Sequence, residues 1–195
     1  MARPRGFDEK QVLDAVRDQF WDAGYAATSL EDLMRVSGLG KGSLYAAFGD
    51  KHQLFLRALR GYTHEQHDHL RQALAEAPRA LDALRKILEP PIGDGPRRGC
   101  LMANSTLELG NADPEVLDHA HRTYETSTAL IADGVARAQR EGDLPADADP
   151  IALARALLAA QQGLLFMSRT GLDAAALTAT ARSLAGQLLP DHHEG

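Results

Sequence analysis

Three stretches of this 195-residue sequence carry residue types that could do chemistry. His64, His67 and His69 lie in H-E-Q-H-D-H. Positions 64 and 67 share a helical face and could hold a metal, while His69 points elsewhere. Two ligands do not complete a site, and the metalloprotease pattern His-Glu-x-x-His is not matched, so a solvated helix face is the expected role. Cys100 sits in R-R-G-C-L-M-A, after Arg97 and Arg98. Two arginines and a helix N-terminus would both lower a thiol pKa, as an oxidant sensor requires, but a buried structural cysteine is the commoner case. The third stretch, G-L-G-K-G-S at 38–43, superficially resembles a phosphate loop. A Walker A loop needs four residues between its first Gly and the Gly-Lys, and it must follow a strand; this run follows a helical pattern. No Ser/His/Asp spacing, metal set or nucleotide loop supports an enzyme, and no cofactor is expected.

The whole-chain arithmetic narrows the class further. With 44% apolar and 25% charged residues, the chain has the make-up of a soluble globular protein able to bury a core unaided. One cysteine excludes an intrachain disulfide framework and the four-cysteine zinc modules. The opening ten residues lack the apolar run of a secretory leader. The greasiest stretch, Ile151 to Met167, is interrupted by Arg155, Gln161 and Gln162, so no membrane span and a cytoplasmic location are expected. The net charge of -6 argues against a generic nucleic-acid binder, yet it hides an asymmetry. Residues 1–60 hold nine Lys/Arg against eight Asp/Glu, whereas residues 61–195 hold twelve against nineteen. Such a split suggests two jobs in one chain.

Nearly all of the sequence reads as helix, since β-branched runs are absent and no period-2 alternation persists. Val12, Val16 and Phe20 stripe a first helix over about 8–23, which Gly24 stops. Thr28 with Glu31 forms a capping box for a second helix, which ends at Gly38. A short third helix follows at about 41–48, and Asp50 with Gln53 opens a fourth over about 51–75. Pro78 opens a fifth helix running to about 88, and the Pro/Gly-rich run 89–99 is a loop. Later helices are expected at about 100–109, 114–141, 149–170 and 173–189, two of them begun by Asp-Pro pairs at 113–114 and 149–150. The expected fold is all-α with about nine helices: a three-helix domain at 1–52, then a larger helical bundle at 53–195.

The stretch 28–52, TSLEDLMRVSGLGKGSLYAAFGDKH, is the informative one. Two helices joined by a three-residue glycine turn fit a helix-turn-helix, whose second helix enters a DNA major groove. Leu30, Leu33, Leu39, Leu44 and Phe48 can share a small core, leaving Lys41, Ser43, Tyr45 and Ala46 outward. Gly40 and Gly42 keep the start of the third helix free of bulk, so its amides can approach a phosphate. Lys51 opens the fourth helix, where its charge and the exposed amides suit a second phosphate. Arg3 and Arg5 resemble a basic arm that reaches a minor groove.

The run T-S-L-x-x-L-x-x-x-S-G-L-x-K-G-S-L-Y-x-x-F-x-x-K resembles the DNA-binding domain of tetracycline-repressor (TetR) family transcriptional regulators. The resemblance covers about the first quarter of the chain as motif; the remainder agrees in length and helix content. It implies a homodimer on a palindromic double-stranded operator, released by a small molecule bound in the C-terminal domain. It also implies that Thr28, Lys41 and Tyr45 contact phosphates, that Gly42 and Ser43 face base edges, and that Lys51 anchors the fourth helix. The chain departs from many relatives at Gly40, where Ser or Thr often caps, and at Ala46-Ala47, where a larger side chain often reads a base. Direct readout is therefore expected to be thin, with DNA shape supplying part of the specificity.

The last two helices are expected to form the dimer interface. Leu177, Ala181, Leu184 and Leu188 make a narrow seam, and the helix before it, including Leu157 and Leu164, is apolar nearly all round. A helix apolar on every side must be covered on every side, and a two-fold four-helix interface does so. Polar residues among apolar ones mark candidate pocket walls: Tyr62, Met102, Asn104, Thr106 and Tyr124, then Gln161, Gln162 and Phe166. The competing readings are a helical enzyme using that pocket and a protein-interaction module.

Overall fold

The computed structural model describes residues 6–89 and 97–190. Those residues form nine α-helices and no strand: α1 (Glu9–Ala23), α2 (Leu30–Ser37), α3 (Lys41–Phe48), α4 (Lys51–Glu76), α5 (Ala80–Ile87), α6 (Leu101–Leu109), α7 (Pro114–Arg140), α8 (Pro150–Arg169) and α9 (Ala174–Leu188). The chain divides into two compact units. The first joins residues 1–65 to 101–120, and the second joins 66–100 to 121–195, so α4 and α7 each contribute to both.

Most helices start where a short polar side chain can take an orphan amide. Asp8 accepts from the Lys10 and Gln11 amides, Asp149 from Ile151 with Pro150 at the first helical position, and Asp173 from Ala176. The cap of α2 lies one residue beyond the expected one. Ser29 and Asp32 form the reciprocal box, in place of Thr28 and Glu31, because Thr28 is buried and donates its hydroxyl to the Gly24 carbonyl at 2.7 Å. The fifth helix starts at Ala80 instead of Pro78, and its first amide donates to a residue distant in sequence, Glu141 at 2.8 Å. Arg79 pairs there with the buried Asp143.

In the first unit, Val12, Val16 and Phe20 of α1 bury with Leu33 of α2, Leu44 and Phe48 of α3, and Leu54, Phe55 and Leu59 of α4. Phe55 meets Phe20 edge-on at 5.1 Å between ring centroids, and Trp21 meets Tyr62 in the same way at 4.9 Å. In the second unit the core gathers Leu81, Leu84 and Ile87 of α5, Ile131 and Val135 of α7, Leu157 and Leu164 of α8, and Ala181 of α9. By length and composition α8 could cross a membrane. Its Ala154, Leu157, Leu164 and Ser168 are instead buried within the fold.

Four of the six interface residues expected on α8 and α9 are placed otherwise. Leu157, Leu164 and Leu177 are at most 2% exposed and Ala181 is 6% exposed within the single chain, so these four have almost no surface to offer a partner. Leu184 and Leu188 pack, partly buried, against the same core. Leu157, Leu164, Leu177 and Ala181 therefore serve the packing of the protomer itself.

The capping box of α2 makes its stability depend on acidity. The Ser29 hydroxyl, then the Arg35 guanidinium and the Ser29 amide, hold the Asp32 carboxyl at about 2, below its ordinary 3.8. A carboxyl whose pKa is depressed on folding stabilises above its unfolded value and loses that effect as the pH falls through the folded value. We expect urea denaturation to show stability falling between pH 3.8 and about 2, and Asp32→Asn to flatten that slope.

Candidate DNA-binding interface

The turn that sets α3 against α2 begins at Gly38, which closes α2 in the left-handed conformation at φ 67. A side chain with a Cβ is disfavoured there, which is why glycine fits the position. Leu39 tucks in half-buried, and Gly40 then precedes α3 without any side-chain cap. The amides of Lys41, Gly42 and Ser43 are the orphan donors of this first turn, while the next, Leu44, already donates to the Gly40 carbonyl at 3.0 Å. All three orphan-bearing residues are exposed, and Gly42 has open space where a Cβ would be. An uncapped, exposed first turn with a lysine on it is suited to receive an anion.

Leu44 and Phe48 are buried, so the α3 register is set by its inner face. The far end is clamped by Arg57 of α4. Its guanidinium donates to the Ala47 carbonyl at 3.2 Å, lies 4.9 Å from the Phe48 ring centroid and pairs with Glu9. Tyr45 is half-buried on the outer side, with the Lys41 ammonium 5.9 Å from its ring centroid, and Ala46 is exposed. Lys51, half-buried, places its ammonium 4.4 Å from the Tyr25 ring centroid, a cation–π contact that restrains where that charge points.

Two expectations about phosphate contacts need correction. Thr28 is 1% exposed and its hydroxyl proton is committed to Gly24, so it has neither the surface nor the donor for a phosphate. The first turn of α4 does not offer all its amides either, since Asp50 accepts from the Gln53 amide at 2.9 Å. What remains for an anion near that turn is the Lys51 ammonium together with the Lys51 and His52 amides, which the Asp50 carboxylate does not take. Arg35 is tied to Asp32 at 3.0 Å and to Gln19 at 3.2 Å, an ion pair rather than a free cation. Arg3 and Arg5 lie outside the described residues.

Two carboxylates from the α6–α7 corner, invisible to local sequence reasoning, hold this unit together. Glu108 accepts from the amides of Tyr25 at 3.0 Å and Ala26 at 2.8 Å, so it grips the backbone between α1 and α2. Asp113 caps α7 through the amides of Glu115 and Val116, and its other oxygen accepts from His52 Nε2 at 2.6 Å. Although burial opposes it, the His52 bond helps lower the Asp113 pKa below its ordinary value.

The residues expected to line a ligand pocket divide between the two units. Tyr62 and Met102 are core residues of the first, Asn104 is half-buried there, and Thr106 spends its hydroxyl on the Met102 carbonyl at 2.8 Å. In the second, Phe166 is 64% exposed and Gln161 is half-buried, while Tyr124 and Gln162 line one groove of about 580 Å³ between α7 and α8. Burial pushes the Tyr124 phenol well above its ordinary pKa, with nearby Cys100 adding to the shift. Cys100 itself is half-buried just ahead of α6. Of the clustered histidines, His64 and His69 are exposed, whereas His67 donates from Nε2 to the Thr123 carbonyl at 3.2 Å and lies 3.0 Å from the Ser127 hydroxyl.

Comparison with known proteins agrees with this geometry. Residues 12–58 match the family model described as bacterial regulatory proteins, tetR family, and residues 79–184 match that of the tetracyclin repressor-like C-terminal domain. The HTH-type transcriptional regulator YezE of Bacillus subtilis is 32% identical over 179 residues, covering 89% of this chain and 92% of that protein. The HTH-type transcriptional repressor ComR of Escherichia coli is 27% identical over 175 residues, covering 87% and 83%. Among solved structures, a cysteine mutant of the regulator CifR, complexed with 26-bp double-strand operator DNA, superposes with a TM-score of 0.80 at 30% identity over 94% of this chain and 98% of that one. A regulator from Cytophaga hutchinsonii shares the fold with a TM-score of 0.87 at 18% identity, each chain covered completely. The chain with the uncapped, outward-facing α3 belongs to the TetR family and is a DNA-binding transcriptional regulator.

Proposed function

We propose that the protein is a cytoplasmic, ligand-responsive repressor that acts without catalysis, binding a palindromic operator as a homodimer. Residues 1–52 read DNA, and residues 53–195 sense the effector and dimerise. The observation that carries the reading is the two-faced α3: Leu44 and Phe48 buried, Lys41, Gly42 and Ser43 exposed with uncapped amides. In this reading Lys41, Tyr45 and Lys51 contact phosphates, Gly42 and Ser43 meet base edges, and Arg3 and Arg5 supply the minor-groove arm. The repressor direction is supported by the similarity to ComR.

The dimer seam we infer differs from the leucine stripe, which is spent internally. Small residues recur at 4-3-4 spacing on α8 as exposed Ala152, half-buried Ala156, then exposed Ala159 and Gly163, and on α9 exposed Ala175, Ala179 and Gly186 share a face with Arg182. A helical glycine costs roughly 0.5–1 kcal/mol relative to alanine. Gly163 and Gly186 have nothing within 4 Å of a Cβ position to justify that cost inside the protomer. Close approach of a second copy's helices supplies a reason, and exposed Phe166 then gains cover.

The DNA reading is tested by fluorescence anisotropy with random and selected duplexes. Affinity should fall steeply with salt, and Lys41→Ala with Lys51→Ala should reduce the logarithmic salt slope by about two, weakening both duplexes alike. Ser43→Ala should instead change preference at one operator position by about 1–3 kcal/mol. Unchanged affinity in the double lysine variant refutes the groove assignment. Sedimentation velocity at micromolar concentration should give twice the protomer mass for the wild type. Gly186→Arg should give a folded monomer; a wild-type monomer removes the palindrome as well.

A further inference from the structure

A phosphate contact from Lys51 needs a long, flexible side chain held in place. A lysine carries its charge on a four-carbon stem and loses much rotamer freedom when it is fixed. At position 51 that freedom is already curtailed. The side chain is half-buried, and its ammonium lies 4.4 Å from the centroid of the Tyr25 ring. Burial first, and then the Asp50 and Asp113 carboxylates, push the Tyr25 phenol above its ordinary pKa. The ring therefore meets the ammonium as a neutral aromatic face, in a cation–π contact.

Tyr25 is itself held from several sides, all within the first unit. Its ring centroid lies 5.0 Å from that of Phe55 and 6.0 Å from that of Phe20, both buried in the core. His52 meets it edge-on at 6.3 Å, and Asp113 fixes His52 through the 2.6 Å bond to Nε2. The Tyr25 amide donates to Glu108 at 3.0 Å. Gly24, just before it, leaves room for that carboxylate, which a Cβ there would approach to 3.0 Å. Backbone and ring are both anchored, so the ring is the fixed partner and the lysine the mobile one.

We propose that Tyr25 is a positioning residue for DNA binding, its ring holding the Lys51 ammonium ready for a backbone phosphate. The inference deepens the DNA reading above and rests on it for the role of Lys51. The ring takes one side of an ammonium that has three N–H donors, so donors remain for the phosphate oxygens. Restraint before binding lowers the ordering cost at binding, which otherwise falls on each flexible side chain that an interface immobilises. Tyr25 thus raises affinity through Lys51 without supplying charge of its own.

The test is a double-mutant cycle on the full-length protein, read as duplex affinity by fluorescence anisotropy. Lys51→Ala should weaken binding and lower the logarithmic salt slope by about one. Tyr25→Leu, which keeps apolar bulk but no ring, should weaken binding about fivefold, and Tyr25→Phe, which keeps the ring, should restore it to within about twofold of the wild type. In the Lys51→Ala background Tyr25→Leu should cost nothing further, because the side chain it positions is gone. Circular dichroism checks that each variant is folded. Proton NMR of the wild type without DNA gives a readout that needs no ring-deleting variant. The Lys51 ε-methylene signal, assigned by its loss in Lys51→Ala, should be shifted upfield by the ring current of Tyr25. Equal losses from Tyr25→Leu with and without Lys51, tighter binding by Tyr25→Leu, no rescue by Tyr25→Phe, or an unshifted ε-methylene overturns the proposal. Unchanged affinity in Lys51→Ala refutes the phosphate role of Lys51 and the positioning role with it. A loss in Lys51→Ala with none in Tyr25→Leu refutes positioning alone and leaves the DNA reading standing.

Discussion

A helix of eight residues cannot stand in water by itself, since isolated helices shorter than roughly 12–15 residues are marginal. The existence and the aim of α3 therefore both depend on burying Leu44 and Phe48. Once those two side chains are seated beside Leu33, helical geometry leaves Lys41, Gly42 and Ser43 no choice but the solvent side. The glycine turn contributes by what it lacks. Gly38 reverses the chain through a left-handed conformation, and Gly40 brings no side chain to satisfy the first-turn amides. In the function proposed above, a nucleic-acid phosphate takes those donors, and the missing cap then serves binding.

Around α3 the polar contacts act as clamps. Arg57 reaches the last turn of α3 through a carbonyl, an aromatic ring and Glu9 together, so that one side chain fixes three elements. Glu108 and Asp113 do the same for the α1–α2 connection and for His52, from a corner more than fifty residues away in sequence. Hydrogen bonds to charged groups are worth about 1.5–3 kcal/mol each at best, less where solvent reaches them. Their larger effect is geometric: they hold α3 and its neighbours by the backbone and leave the exposed face of α3 untouched.

The second unit shows how apolar surface is allotted. Both α8 and α9 carry more apolar positions than one contact needs, and intrachain packing takes the large residues first. Leu157, Leu164 and Leu177 close the protomer, because a leucine buries more area than an alanine and its burial must be met before any partner arrives. The face left over carries mostly small residues, with glycines at Gly163 and Gly186 and with Phe166 and Arg182 exposed among them. Small residues permit close helix approach, which is why the seam proposed above lies on the leftover face and not along the leucine stripe.

Local patterns alone determined the helical class, the position of nearly every helix and the turn that presents α3, because capping chemistry, glycine punctuation and 3.6-residue periodicity act over a few neighbouring residues. They also placed Lys41, Ser43, Tyr45 and Ala46 outward, and the folded chain exposes all of these but Tyr45, which is half-buried. Where a decision turned on residues distant in sequence, only the folded chain could make it. The cap of α2 moved to Ser29 because Thr28 found the Gly24 carbonyl in a packed turn. The start of α5 followed from Glu141, the candidate pocket set divided between two units, and Gln162 was left holding an unpaired oxygen. A one-dimensional pattern states which side chains are apolar or polar; burial and pairing are properties of the surroundings, and those exist only after the chain has closed on itself.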